Sequence, residues 1–216
     1  VKAVVFDFDG TLIDSSGHIL EAFEYALSPF GITVTDQTIE MIRPRTTPNL
    51  FIDLIDRSDW PLAFERLAKI TKEHLLQITL YDGMLELLEK LYQKGLLLAI
   101  WTGRDTSSAI DILKRLQLGH FFKIVVGNTC VKHNKPHPEG LLKIISDFGC
   151  NASEVVMVGD HLHDLEGAAA VGAKKVLVNH GCTSREVEKK YGVERVMPDR
   201  FVGNAKELEN YLFLLL

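Results

Sequence analysis

Val1-Lys2-Ala3-Val4-Val5-Phe6-Asp7-Phe8-Asp9-Gly10-Thr11 is an apolar run that ends in two carboxylates one residue apart, followed at once by glycine. Val4, Val5 and Phe6 have the continuous apolar character of a short strand buried on both faces, the kind that parallel sheets use, and Gly10 punctuates its end. On an extended backbone residues two apart point the same way, so Asp7 and Asp9 project together. In open α/β sheets the carboxyl ends of the strands are where ligands sit. Two anions so placed repel one another unless a cation or a shared proton offsets the repulsion. An Asx-turn with both carboxylates in solvent fits the same residues, and the segment alone does not separate the two readings.

A chain of 216 residues suits one α/β domain with an insertion, or two small domains, and 46% hydrophobic residues supply a sizeable core. The net charge of −5, with no cluster of Lys and Arg, argues against nonspecific binding to nucleic acid or to an anionic membrane. The opening apolar run meets Asp7 too soon to read as a signal peptide. The apolar stretch from Tyr211 to Leu216 is too short to span a bilayer. Cys130, Cys150 and Cys182 are an odd number with no close pairing, which points to reduced thiols and a cytoplasmic protein.

Short β-type runs recur with helical segments between them: Ala3 to Phe6, Leu97 to Trp101, Lys123 to Val126, Val155 to Val158, Lys174 to Val178 and, more weakly, Arg195 to Met197. Alternation of this kind predicts βαβ units, hence a doubly wound parallel sheet of Rossmann-like form. Met84 to Gln93 is a helix by the spacing of its leucines, closed by Gly95, and Thr106 to Leu116 repeats the form with Gly119 beyond its end. Between Asp14 and Tyr81 the rhythm fails and only helix patterns remain. Ser15 or Ser16 fits the cap of a helix through Leu27, Thr35 the cap of one through Ile42, and Pro61 to Leu76 is amphipathic. These patterns divide the chain into an α/β core, residues 1–13 and 82–216, and an inserted α-helical cap, residues 14–81.

The other strand ends also carry chemistry. Trp101-Thr102-Gly103-Arg104 offers a hydroxyl and a backbone open to close approach, although Thr102 fits a plain turn or helix cap as well. Lys132-His133-Asn134-Lys135-Pro136-His137-Pro138 places Lys135 before a proline suited to the first turn of a helix running to Asp147. A cation at a helix start is disfavoured, which implies an anion beside it. Val158-Gly159-Asp160-His161-Leu162-His163-Asp164 repeats the strand, glycine and carboxylate pattern, and N-capping by Asp160 is the alternative there. A doubly wound sheet gathers such ends along one edge. Asp7 and Asp160 with a backbone oxygen then form a hard, oxygen-rich set suited to Mg²⁺, while Lys135 and Thr102 hold the oxygens of a phosphate.

These residues resemble the haloacid dehalogenase-like hydrolases, in particular the phosphatases with a helical cap inserted after the first strand. Asp7-Phe8-Asp9-Gly10-Thr11-Leu12 matches the first motif of that family, Thr102 the second, Lys135-Pro136 the third, and Gly159-Asp160 with Asp164 the fourth. The resemblance implies that Asp7 is the nucleophile, taking the phosphoryl group as an aspartyl-phosphate. It implies that Asp9 protonates the leaving oxygen and then activates water. Asp9 also lends its backbone carbonyl to Mg²⁺ beside Asp7 and Asp160, and Asp164 supports that metal shell. Thr102, Gly103 and Lys135 bind the transferring group, and Arg104 is a further candidate contact. In such a site Asp7 stays ionised while Asp9 carries a proton, so their pKa values are pushed apart.

Within the family the nearest expectation is a phosphatase acting on a small phosphorylated metabolite similar to phosphoglycolate, as monomer or homodimer. Arg43 and Arg45 in the cap are the residues expected to hold a carboxylate or second phosphate of the substrate. Phosphoglycolate phosphatases usually carry glycine where Thr46 stands and proline where Asp82 stands, and these departures bear on substrate rather than chemistry. A sugar-phosphate phosphomutase of the same fold is the first alternative, because it uses the same Asp pair. A signalling receiver domain also combines carboxylates, Thr and Lys, but is much shorter and has no helical insertion. Cys130, His133 and His137 have loosely zinc-like spacing in a segment whose lysines and prolines do not favour zinc.

Overall fold

The computed structural model describes residues 1–42, 49–180 and 196–216. Its strands are β1 (Ala3–Phe6), β2 (Ile13–Asp14), β3 (Thr79–Leu80), β4 (Leu97–Trp101), β5 (Phe122–Val126), β6 (Val155–Gly159), β7 (Lys174–Val178) and β8 (Arg200–Val202). Its α-helices are α1 (Ser16–Leu27), α2 (Asp36–Ile42), α3 (Trp60–His74), α4 (Met84–Gln93), α5 (Thr106–Arg115), α6 (Glu139–Phe148), α7 (Leu162–Val171) and α8 (Ala205–Leu214). Six strands form one parallel sheet in the order β5-β4-β1-β6-β7-β8. The central position of β1 explains its unbroken apolar run, because all four of its residues are fully buried.

Alternate residues of β1 serve opposite layers. Val4 and Phe6 pack with Leu87, Leu88 and Leu91 of α4 and Leu208 and Leu212 of α8, whereas Ala3 and Val5 pack with Leu141 and Ile144 of α6 and Ala168 of α7. The sheet is therefore covered on both faces, as doubly winding requires. Between Asp14 and Leu80 the chain builds α1, α2 and α3 around a cluster of its own that includes Leu27, Val34, Phe51 and Ala63. Arg66 of α3 donates two hydrogen bonds, of 2.9 and 2.7 Å, to the Tyr25 carbonyl near the end of α1 and lies 4.0 Å from the centre of the Tyr25 ring.

Several elements differ from the sequence reading. The last strand of the sheet is Arg200–Val202, paired with β7, and not Arg195 to Met197; Arg195 itself lies outside the described residues. The helical stretch is not free of strand: Ile13 and Asp14 pair antiparallel with Leu80 and Thr79, which clasps the two ends of the insertion together. Helix α6 starts at Glu139, so Lys135 stands in the preceding loop and not at a helix start. That loop is held by Glu139, whose carboxylate accepts from the amides of Lys132 and His133 at 2.9 and 3.1 Å. Gln117, at φ 59°, takes the left-handed position after α5 that Gly119 was expected to mark. Thr35 does cap α2, its hydroxyl accepting from the Thr38 amide at 3.2 Å.

Among the described residues no helix is long and apolar enough to cross a membrane. Cys130 and Cys150 are unpaired, and Cys182 lies outside the described residues.

Trp101, at the end of β4, is the largest fully buried side chain, and two glycines make room for it. A Cβ on Gly140 of α6 would overlap the indole at Nε1, and a Cβ on Gly167 of α7 would overlap the far edge of the ring. Alanine favours a helix over glycine by about 1 kcal/mol, but overpacking a rigid core costs about 1–3 kcal/mol. Gly167→Ala is therefore expected to lower stability, read as a reduced urea midpoint at unchanged m-value; a raised midpoint would show that the indole yields.

Candidate active site

Four strand ends converge on one cavity. Asp7 follows β1, Thr102 follows β4, Lys135 lies in the loop after β5, and Asp164 sits in the first turn of α7 after β6; all four line the cavity together with Asp9, Gly103 and Arg104. The Lys135 ammonium lies 2.7 Å from Asp7 Oδ1 and 2.6 Å from Asp164 Oδ1, and all three residues are buried. Asp164 uses its second oxygen to accept from the His161 amide at 3.2 Å, which ties the turn before α7 to the ion cluster. His161, and not Asp160, is the N-cap of α7, its Nδ1 accepting from the His163 amide at 3.1 Å. Asp160 is thereby left to the site, where its Oδ1 accepts from the Thr11 hydroxyl at 3.2 Å. Gly10, at φ +80°, passes so close to that carboxylate that a Cβ would overlap it.

Asp7, Asp160 and Asp164 each present a carboxylate oxygen within 4.8 Å of the others. Three hard oxygen donors this close together, with one ammonium against only two of them, fit a divalent cation such as Mg²⁺. The electrostatics agree with that fit: burial raises the Asp7 pKa above the usual carboxylate range, Lys135 pulls it down, and Asp164 pushes it up again. Burial also acts against the Lys135 charge, but Asp164 and Asp7 hold the ammonium above its ordinary pKa.

Asp9 has a different setting. Arg104 donates to it through two nitrogens, Nε to Oδ2 at 3.0 Å and Nη2 to Oδ1 at 2.5 Å, and the Ser15 hydroxyl donates to Oδ1 at 2.6 Å. In this arrangement Asp9 is an acceptor of hydrogen bonds from both the core and the start of α1. Asp7 shares the Lys135 ammonium with Asp164, whereas Asp9 is held by the Arg104 guanidinium, which also donates to the Ser108 hydroxyl at 3.2 Å. Ser15 stands at the N-cap position of α1 but gives that helix no side-chain hydrogen bond; its hydroxyl is committed to Asp9. The Thr102 hydroxyl accepts from the Arg104 amide at 3.0 Å, leaving its proton to donate into the cavity.

The sequence pattern of the haloacid dehalogenase-like hydrolase family matches residues 4–178. The chain is a haloacid dehalogenase-like hydrolase. It is 30% identical over 208 residues to the pyrophosphatase PpaX of Halalkalibacterium halodurans, covering 92% of this chain and 94% of that protein. It is 26% identical over 200 residues to a phosphoglycolate phosphatase of Mesorhizobium japonicum, covering 85% of each. Among solved structures, a haloacid dehalogenase-like family hydrolase from Streptococcus pneumoniae superposes with a TM-score of 0.78 at 26% identity, over 98% of both chains.

In this hydrolase Arg43 and Arg45, the residues expected to grip the substrate from the cap, lie outside the described residues. Phe8 is fully buried in the core beside Val4 and Phe6 and does not line the cavity. Cys130 does not join His133 and His137: its sulfur lies 3.1 Å from the Thr106 hydroxyl, while His133 Nδ1 is 2.9 Å from Glu139. Two contributors were missed from sequence. Ser15 was read only as a cap, and Trp101 only as strand, whereas the indole centre lies 4.8 Å from the Lys135 ammonium. The aromatic immediately before Thr102 was the available signal for the second.

Removing the Lys135 charge would leave Asp7 and Asp164 buried without their cation. Lys135→Met is expected to lose about 3–5 kcal/mol of stability in EDTA-containing buffer. Adding Asp7→Asn should restore part of it; additive losses in the double-mutant cycle would show that the pair is uncoupled.

Proposed function

We propose that this hydrolase is a Mg²⁺-dependent phosphatase that cleaves a phosphomonoester through an aspartyl-phosphate on Asp7. The observation that carries the reading is the buried contact of Lys135 with both Asp7 and Asp164, beside a third carboxylate and at the floor of a cavity. A lysine so placed holds the Asp7 oxygen toward an incoming phosphorus and receives the charge that builds on the phosphoryl oxygens. Asp7, Asp160 and Asp164, with the Asp9 carbonyl, would hold the ion, which when bound neutralises negative charge on the transferring group.

The chemistry at this chain's residues has two halves. The Asp7 carboxylate oxygen attacks phosphorus as the ester bond to the leaving oxygen breaks, and Asp9 gives that oxygen a proton. Asp9 then takes a proton from water, the water oxygen attacks phosphorus, and inorganic phosphate leaves with Asp7 regenerated. Thr102 and Gly103 contact the phosphoryl oxygens. Arg104, whose guanidinium spans Asp9 and the Ser108 hydroxyl, exchanges Asp9 for a substrate oxygen and so frees Asp9 to carry its proton. We take residues 14–81 as the cap that excludes water and 1–13 with 82–216 as the catalytic core. The unpaired Cys130 and Cys150 support a cytoplasmic location, and a monomer or homodimer with a small phosphorylated metabolite as its partner completes the reading.

The names of two relatives, a pyrophosphatase and a phosphoglycolate phosphatase, support phosphoryl transfer to water. Phosphate release over a panel of phosphomonoesters and pyrophosphate should appear with Mg²⁺, stop with EDTA and return when Mg²⁺ is restored. Asp7→Asn should fall to background, and Asp9→Asn should lose about 10²–10⁴-fold in kcat. Turnover unchanged by Asp7→Asn would overturn the mechanism, and an isomerised product without free phosphate would make the protein a phosphomutase.

A further inference from the structure

The cavity over Asp7 has a volume of about 580 Å³. At roughly 30 Å³ per non-hydrogen atom, the share of one water in the liquid, it has room for about twenty such atoms. Phosphoglycolate and pyrophosphate have about nine each, and this volume falls within the range of pockets that hold drug-sized ligands. The space beyond the phosphate position is therefore far larger than either small anion needs.

The two ends of the cavity differ in chemistry. Its floor is the charged set of Asp7, Asp9, Thr102, Arg104, Lys135 and Asp164. The opposite wall comes from the helical insertion, where Ala22 and Phe23 of α1, Ile39 of α2, and Phe64, Leu67 and Ala68 of α3 face the space. Ala68 is exposed, and Phe23, Ile39, Phe64 and Leu67 are only half-buried, so apolar surface is left open next to the floor. Among the described residues, polar groups on this side add little that would receive an anion. The Nδ1 atoms of His18 and His74 are sealed away from solvent, His74 Nε2 lies 3.2 Å from Glu21, and the one lysine described there, Lys72, is exposed at the rim. A carboxylate or second phosphate placed against such a wall would be stripped of water without compensation. An apolar group there would cover surface that otherwise faces water.

We propose that the leaving group of the substrate is bulky and largely apolar, an aryl or branched-alkyl alcohol, seated against α1 and α3 while its phosphate rests on Asp7 and Lys135. This rests on the phosphatase reading, and it departs from the small polar substrates named for the relatives above. It assigns the leaving-group preference to the α1–α3 wall.

The test compares kcat/KM for 1-naphthyl phosphate, phosphoglycolate and pyrophosphate with Mg²⁺ present. The expected result is a preference of about tenfold or more for the naphthyl ester, the discrimination an apolar pocket gives for one or more added carbons. Ala68→Asp, at an exposed position, should cut the naphthyl-to-phosphoglycolate ratio about tenfold with an unchanged circular dichroism spectrum. Leu67→Asn should do the same if the first variant folds poorly. A ratio that stays constant in a folded variant, or a preference for phosphoglycolate or pyrophosphate abolished by Arg43→Ala or Arg45→Ala, would overturn the apolar assignment and leave the phosphatase standing. Phosphate release from none of the three would overturn the phosphatase reading itself.

Discussion

The ammonium of Lys135, buried between Asp7 and Asp164, is the constraint around which the molecule is arranged. Three ionised side chains in the interior are tolerated only when their geometry is accurate, because the loss of hydration is offset by short, well-directed contacts. The three come from β1, from the loop before α6 and from the first turn of α7, elements far apart in sequence. The parallel pairing of β5, β4, β1 and β6 brings them to one edge. The same requirement reaches into the packing layer. Trp101 lies under the ammonium, and helices α6 and α7 approach the indole through glycines where any larger residue would push it out of place. Core packing and site electrostatics here are one arrangement seen from two sides.

Asp9 links that arrangement to the helical insertion. Its carboxylate is held from the core by Arg104 and from the start of α1 by Ser15, and the backbone between them is clasped by the β2–β3 pair. The position of the insertion is therefore written into the hydrogen bonding of one carboxylate, and a change at either Ser15 or Arg104 alters the same group. Asp7 has no such link to the insertion; its partners belong to the core. The two carboxylates that look equivalent in the sequence answer to different parts of the protein.

The parallel core was legible because a buried strand needs an unbroken apolar run; β1, β4 and β6 have one, and β7 has the shorter run Val176-Leu177-Val178. The edge strand β8 was misplaced because Arg200, Phe201 and Val202 pair on one side only, so no long apolar run is required of them. The β2–β3 pair escaped notice because two residues per strand carry no period, and its existence depends on closing a long insertion. Asp7, Thr102, Lys135, Asp160 and Asp164 stood out because chemistry-bearing residue types fall at strand ends, and the parallel sheet brings those ends together. What failed was local geometry set by tertiary partners. Lys135 was placed at a helix start by the proline after it, yet Glu139 binds the loop amides and delays the helix by a turn. Ser15 was given to its own helix, yet Asp9 offers the hydroxyl a charged acceptor, a stronger partner than a backbone amide.

The phosphate site and the proposed leaving-group preference rest on different surfaces of the same cavity. The floor that places the chain among haloacid dehalogenase-like hydrolases is built from strand ends, where a shift of an ångström would separate Lys135 from its carboxylates. The facing wall is built from helix surfaces of the insertion, where Ala22, Phe64, Leu67 and Ala68 have no charge partners and can change size without disturbing the sheet. Relatives that share about a quarter to a third of their residues with this chain can thus keep one floor beneath quite different walls. A preference for an apolar leaving group needs no new catalytic residue. It follows from apolar helix faces lining the space above the phosphate site.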